Sequence, residues 1–207
     1  MAELRFADLE DVEDLRNYVR RALSVDADGA IRLRSHGATL AAYVGVLPGH
    51  GLLTAGAVIG LRVMALEETA DVDVTVSLVS VRERLAKVDA TSLWVPPTTV
   101  QVGWAAMSPP RSGWEPVAPL SISDLKTTAV NGIAEIAHAA AEGSGALQVT
   151  ALRQRVWARD SDTTPPIPAG AAFAAYALGF LTQDTARVFA HGRWTRLSTT
   201  TGHVLVC

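Results

Sequence analysis

Two groups of side chains have the types and spacing to do chemistry. Trp104, Arg111, Trp114 and Glu115 crowd around Pro109-Pro110. Indole faces accept apolar or cationic groups, and an Arg and a Glu can fix the polar end of a ligand. These four are the candidates for a ligand groove or a protein interface. Arg193, Trp194 and Arg196, with Thr195 and the run Thr199-Thr-Thr201 nearby, form the second group. Arginines interleaved with hydroxyls and an aromatic ring suit phosphate contacts that carry no base information. Arg153, Arg155 and Arg159, earlier in the chain, could add to such a surface.

Catalytic patterns are missing. His36, His50, His138, His191 and His203 lie far apart, with no H-x-x-x-H or H-E-x-x-H spacing. The single Cys207 has no cysteine partner, so neither a metal nor a cofactor is implied. No nucleophile elbow or P-loop occurs, and Gly143-Ser-Gly145 reads as a helix stop. Gly49, Gly51, Gly56 and Gly60 are wrongly spaced for a dinucleotide loop. Asp71 and Asp73 alternate with valines, which makes them the wet face of a strand rather than an acid–base pair. The expectation is a protein without catalytic activity.

Composition bounds the class. With 49% hydrophobic and 19% charged residues in 207, the chain reads as globular and able to bury a core. Of 18 basic residues only Lys87 and Lys126 are lysine, and asparagine occurs only at Asn17 and Asn131. Abundant Arg and Ala with scarce Lys and Asn points to the codon bias of a GC-rich bacterial genome. Net charge is −3 overall, made of −4 from residues 1–119 (11 basic, 15 acidic) and +1 from 120–207 (7 basic, 6 acidic). This asymmetry is small for a nucleic-acid-binding domain. One terminal cysteine and an opening without the basic and apolar runs of a signal peptide lead to a cytoplasmic expectation. The apolar stretches near 38–47 and 52–66 are interrupted by Gly, Pro, His50 and Arg62, so no membrane span is expected.

The elements that must position these residues follow from periodicity. A helix is predicted over Asp8–Leu23, with acids at its start and Leu15, Tyr18, Val19, Ala22 and Leu23 along one face. Strands are predicted at Ile31–Arg34, Thr39–Leu47, Thr54–Leu66, Asp71–Leu78 and Thr91–Val95, with a turn at Pro48–Gly51 and a short helix over 81–88. Short turns between strands imply an antiparallel sheet. Residues 94–119 hold three tryptophans and six of the ten prolines, an extended join with a possible strand at Val100–Met107.

Ser121-Ile-Ser-Asp124 then fits a capping box for a helix whose apolar face is Leu125, Ala129, Val130, Ile133, Ile136, Ala137 and Ala140. Helices follow at Leu147–Arg159 and from Ala169, the latter with Phe173, Tyr176, Ala177, Phe180 and Leu181 as its buried stripe. A hairpin at Arg187–Ser198 and a strand at His203–Val206 end the chain. The predicted fold is α+β, with an N-terminal helix on a mainly antiparallel sheet (1–95), a Trp/Pro-rich join (96–119) and a three-helix plus β-hairpin unit of winged-helix-like order (120–207).

A winged helix that reads DNA needs base-contacting donors on its third helix. The segment Ala169 to Leu181 offers none, and the link before it is long and rich in proline. The expected role is an interaction or regulatory protein that binds a protein partner or self-associates through apolar surface. Two alternatives stay open. One is non-specific nucleic-acid binding by the Arg/Trp hairpin, and the other a small-molecule binder or enzyme with a cleft at the Trp/Pro-rich join.

Overall fold

The computed structural model describes residues 2–49, 55–87, 91–143 and 145–207. The turn expected at Pro48–Gly51, the start of the strand expected at Thr54, the end of the helix expected over 81–88 and Ser144 lie wholly or partly outside them. The chain divides into two units, Met1–Pro48 with Ile59–Ser108, and Gly49–Val58 with Pro109–Cys207. The fold is α+β with antiparallel sheet, as the periodicity predicts.

In the first unit, α1 (Leu9–Val25) starts where the Asp8 side chain accepts a hydrogen bond from the Asp11 amide at 2.9 Å. It buries Val12, Leu15, Tyr18, Val19 and Ala22. Strand β1 (Glu3–Arg5) pairs antiparallel with β6 (Ser92–Trp94). Between them in the chain lie β2 (Ala30–His36), β3 (Thr39–Leu47), β4 (Val58–Ala65), β5 (Asp73–Ser77) and α2 (Leu78–Leu85). The strands order as β5-β2-β3-β4. A two-residue turn at Gly37-Ala38, with Gly37 at φ 58°, joins β2 to β3 and sets His36 opposite Thr39. The alternation expected around β5 is present, with Val72, Val76 and Leu78 buried.

The strand expected at Val100–Met107 is instead a 3-10 turn at Gly103–Ala106. The Trp104 indole lies against Gly45 of β3, where an added Cβ would meet its ring at 2.5 Å. Arg32 of β2 donates to the Ala105 carbonyl at 2.7 Å. Ring packing and a captured carbonyl thus override the extended tendency of the segment.

The second unit runs β7 (Glu115–Ser121), α3 (Ile122–Ala141), α4 (Ala146–Ala158), α5 (Ala169–Ala177), β8 (Thr185–His191), β9 (Trp194–Ser198) and β10 (His203–Val206). Its strands order as β7-β8-β9-β10, each pair antiparallel. Pro116 and Pro119 sit in β7, an edge strand with a register shift between Pro116 and Ala118, where missing amides cost the ladder least. Ser121 caps α3 by accepting from the Ser123 amide, one residue earlier than a capping box requires. Gly56 donates to the Cys207 carbonyl at 2.5 Å, which ties it to the end of this unit.

Two predicted helix faces are corrected. On α5 the buried residues are Ala169, Gly170, Ala171, Ala172, Ala174 and Ala175, while Tyr176 is 41% exposed. The helix stops at Ala177, Gly179 takes φ 75°, and Phe180 and Leu181 are buried beyond the helix. The physical reason is close approach: α5 packs against α3, α4 and β10, and small side chains let those backbones draw near. On α3 the buried line is Leu125, Ala129, Gly132 and Ile136, leaving Val130 and Ile133 exposed. Gly132 sets that line because the Trp157 ring of α4 fills the space its Cβ would take. Trp157 in turn stacks on Phe173 at 4.4 Å between ring centroids.

Candidate functional site

The hairpin β8–β9 turns at Gly192-Arg193, which puts His191 opposite Trp194 and Phe189 opposite Arg196. Opposite residues on paired strands share a face. The Arg196 guanidinium carbon stands 4.4 Å from the centroid of the Phe189 ring. The centroid of the Trp114 ring lies 4.6 Å from the same carbon. Trp114 reaches there from the residue before β7 because Gly113 turns the chain at φ 76° and the indole N–H donates to the Pro110 carbonyl at 2.9 Å. His191 meets the Trp114 ring edge-on at 5.9 Å.

Two residues chosen from separate stretches of sequence, Trp114 and Arg196, are therefore neighbours. Phe189 and His191, which sequence reasoning did not select, complete the group. Their signal was available in the hairpin register, since a two-residue turn at Gly192-Arg193 dictates that 189 faces 196.

The guanidinium lies over two aromatic rings, and its N–H donors point outward in its own plane. Its Nε is buried and has no hydrogen-bond partner. Burial pulls the Arg196 pKa below its usual value, without approaching neutrality. On this face the register places Arg187, Phe189 and His191 of β8, Trp194, Arg196 and Ser198 of β9, and His203 and Leu205 of β10, with no acid among them. Glu115 faces Ala190, which alternates with Phe189 and His191.

The remaining candidates are dispersed. Trp104 belongs to the first unit, against Gly45. Arg111 and Glu115 are exposed. Trp194 is 7% exposed, with the Arg193 guanidinium 5.9 Å from its ring centroid. Arg153 and Arg155 are exposed on α4, and Arg159 is paired with Glu135 at 2.8 Å.

A polar cleft of about 470 Å³ lies elsewhere in the second unit, between the α3 residues Asp124, Thr128 and Asn131 and the loop Arg159–Thr163. Its most buried hydroxyls are already committed: Thr163 donates to the Pro165 carbonyl, and Ser161 donates to Thr163 and accepts from the Ile167 amide. Among the described residues no three His, Cys, Asp or Glu side chains are grouped to hold a metal ion, and no helix is long and apolar enough to cross a membrane.

The division between units at residues 108 and 109 recurs in the family comparisons. Residues 1–106, more than half of the chain, match the family model described as a domain of unknown function, DUF8010. The chain belongs to the DUF8010 family. Residues 109–207 match a second domain of unknown function, DUF8185, and this part holds the Trp114–Arg196–Phe189 group. No curated protein matches the chain.

Proposed function

We propose that this DUF8010 protein is a non-catalytic interaction protein, working through protein–protein contacts made by the outer faces of α3 and α4. One observation carries the reading: Val130, Ile133 and Leu147 are 46%, 38% and 87% exposed. Val130, Ile133, Ala134, Ala137 and Ala141 are all exposed and recur at helical spacing, so α3 presents an apolar stripe outward. Full burial of one aliphatic side chain stabilises by about 1.5–3 kcal/mol, which the isolated chain forgoes at these positions. The alanines between them leave room for the backbone of a partner helix to come close.

A second copy of the chain is the partner to test first, because one stripe meets its own copy across a two-fold axis. Light scattering should show a mass that rises toward the dimer with concentration. A Val130→Glu/Ile133→Glu variant should stay monomeric with its circular dichroism melt unchanged. Monomeric mass at every concentration in both proteins, with the same partners retained by both on an affinity column, refutes the reading.

A further inference from the structure

The geometry points to Arg196 as the anchor of a binding site for a small oxyanion, a carboxylate or phosphate group carried by a small molecule. This inference is independent of the α3–α4 contact surface, since it rests on the sheet and not on the helices.

Of the part-buried arginines, Arg16, Arg32, Arg34 and Arg62 each have a carboxylate, Glu13, Asp73, Asp73 and Asp14 respectively, while Arg84 on α2 has none among the described residues. Arg196 is part-buried too, yet its buried Nε has no hydrogen-bond partner and its side chain forms no ion pair among the described residues. Contacts with two aromatic rings attract a cation, while withdrawing it even partly from water is unfavourable. The rings offset part of that cost and supply no acceptor. An oxyanion in the guanidinium plane would supply both the countercharge and the acceptors, through the parallel N–H fork that arginine offers.

The surroundings favour an anion. Arg187 lies on the same face, two residues before Phe189, and no acid shares that face. His191 stands at the edge of the Trp114 ring. They also favour a small ligand over a nucleic-acid strand. Base stacking needs open aromatic faces. Here Trp194 is buried, and Arg196 already covers one face each of Trp114 and Phe189. Contact with two rings restrains the side chain, so less of its entropy remains to be lost when an anion binds.

The test is a titration of the full chain with inorganic phosphate and, separately, with citrate, against sodium chloride at matched ionic strength. The readouts are the Arg196 side-chain Nε–H resonance and the melting temperature. The resonance is assigned by its absence from an Arg196→Lys variant, which keeps the charge and loses the fork. Phosphate or citrate should shift the resonance saturably and raise the melting temperature, because a ligand of the folded state stabilises it. Phosphate acting alone identifies a phosphate-bearing ligand, and citrate acting alone a carboxylate-bearing one. In Arg196→Lys the affinity should fall by about tenfold or more. A Trp114→Leu variant, which removes one ring but leaves the arginine, should also weaken binding. Responses no larger than those to chloride overturn the proposal, as does binding undiminished in Arg196→Lys. Binding of a single-stranded oligothymidine with no response to either small anion overturns it as well, in favour of a nucleic-acid contact.

Discussion

Arg32 in the first unit and Arg196 in the second are both strand arginines drawn partly out of water, and they are treated in opposite ways. Arg32 forms a two-point bridge to Asp73, at 2.7 and 2.8 Å, and gives a further N–H to the Ala105 carbonyl. Its donors are consumed by groups the chain itself provides, and its pKa is raised, first by the Asp73 hydrogen bond. Arg196 is given two aromatic faces and no acceptor. The first arrangement ties β2, β5 and the 3-10 turn together. The second orients a cation at a cost in stability and leaves its donors unspent. Structural arginines complete their bonds within the fold, whereas an arginine left incomplete marks a place where another molecule can finish the set.

Replacing each arginine by methionine should separate the two cases most widely. Arg32→Met takes the two-point partner from Asp73, leaving it Arg34, and frees the Ala105 carbonyl, and should cost about 1–2 kcal/mol in urea unfolding. Arg196→Met removes a cation with no countercharge and keeps a flexible apolar chain against two rings. It should be neutral or stabilising by up to about 1 kcal/mol, while abolishing any anion response. Equal losses in the two variants would erase the distinction.

A pH series sharpens the same contrast. The Asp73 carboxyl is held below its ordinary value, chiefly by the hydrogen bond from Arg32, with the charges of Arg32, Arg34 and His36 adding. A carboxyl whose folded pKa is depressed contributes stability that is present in full above the unfolded value, about 3.9. That contribution is lost as the pH falls toward the lower folded value. Because Asp73 is 42% exposed, solvent screening limits the effect to about 1 kcal/mol. The stability difference between wild type and Asp73→Asn should thus be constant from neutral pH down to about pH 5 and shrink below pH 4. Arg196→Met should show no such acid-side convergence, since no carboxylate pairs with it.

The two arrangements also differ in how far they could be read from sequence. Alternation around Asp73 identified β5 and its wet face, because strand periodicity is local. The span of α1, the hairpin of β8 and β9 and the last strand at His203–Val206 are equally local and were legible, although the turn falls at Gly192-Arg193, one residue later than the His191-Gly192 expected. What escaped depends on partners distant in the chain. The strand expected at Thr91–Val95 is present as β6, but its partner β1, from the other end of the first unit, is too short for a pattern. The 3-10 turn at Trp104 depends on a glycine in β3. The α5 face was misjudged because large aromatics were weighted above alanines, whereas close helix packing favours the small residues. At the site, Trp114 and Arg196 each carried a signal of their own, but their meeting depends on the β7–β8 pairing across three intervening helices. Phe189 could have been placed by hairpin register once Arg196 was of interest.

The smallest effect concerns the residue that aims Trp114. Gly113 takes φ 76°, a conformation that costs a side-chain-bearing residue about 1 kcal/mol, and a Cβ there would stand 3.1 Å from the His191 Nε2. Gly113→Ala should therefore lower stability by about 1 kcal/mol or slightly less, since alanine also restricts the unfolded chain. Its effect on the site should exceed its effect on the fold. Relieving the contact with His191 means moving the turn that hangs Trp114 over Arg196, so the Arg196 Nε–H resonance should shift and anion affinity should fall. Gly37→Ala, at φ 58° with open space around its Cβ, supplies the matched control in the first unit. It carries a similar backbone penalty and should leave that resonance in place. If both variants move the resonance alike, Gly113 serves only the backbone, and the ring over Arg196 is positioned by some other means.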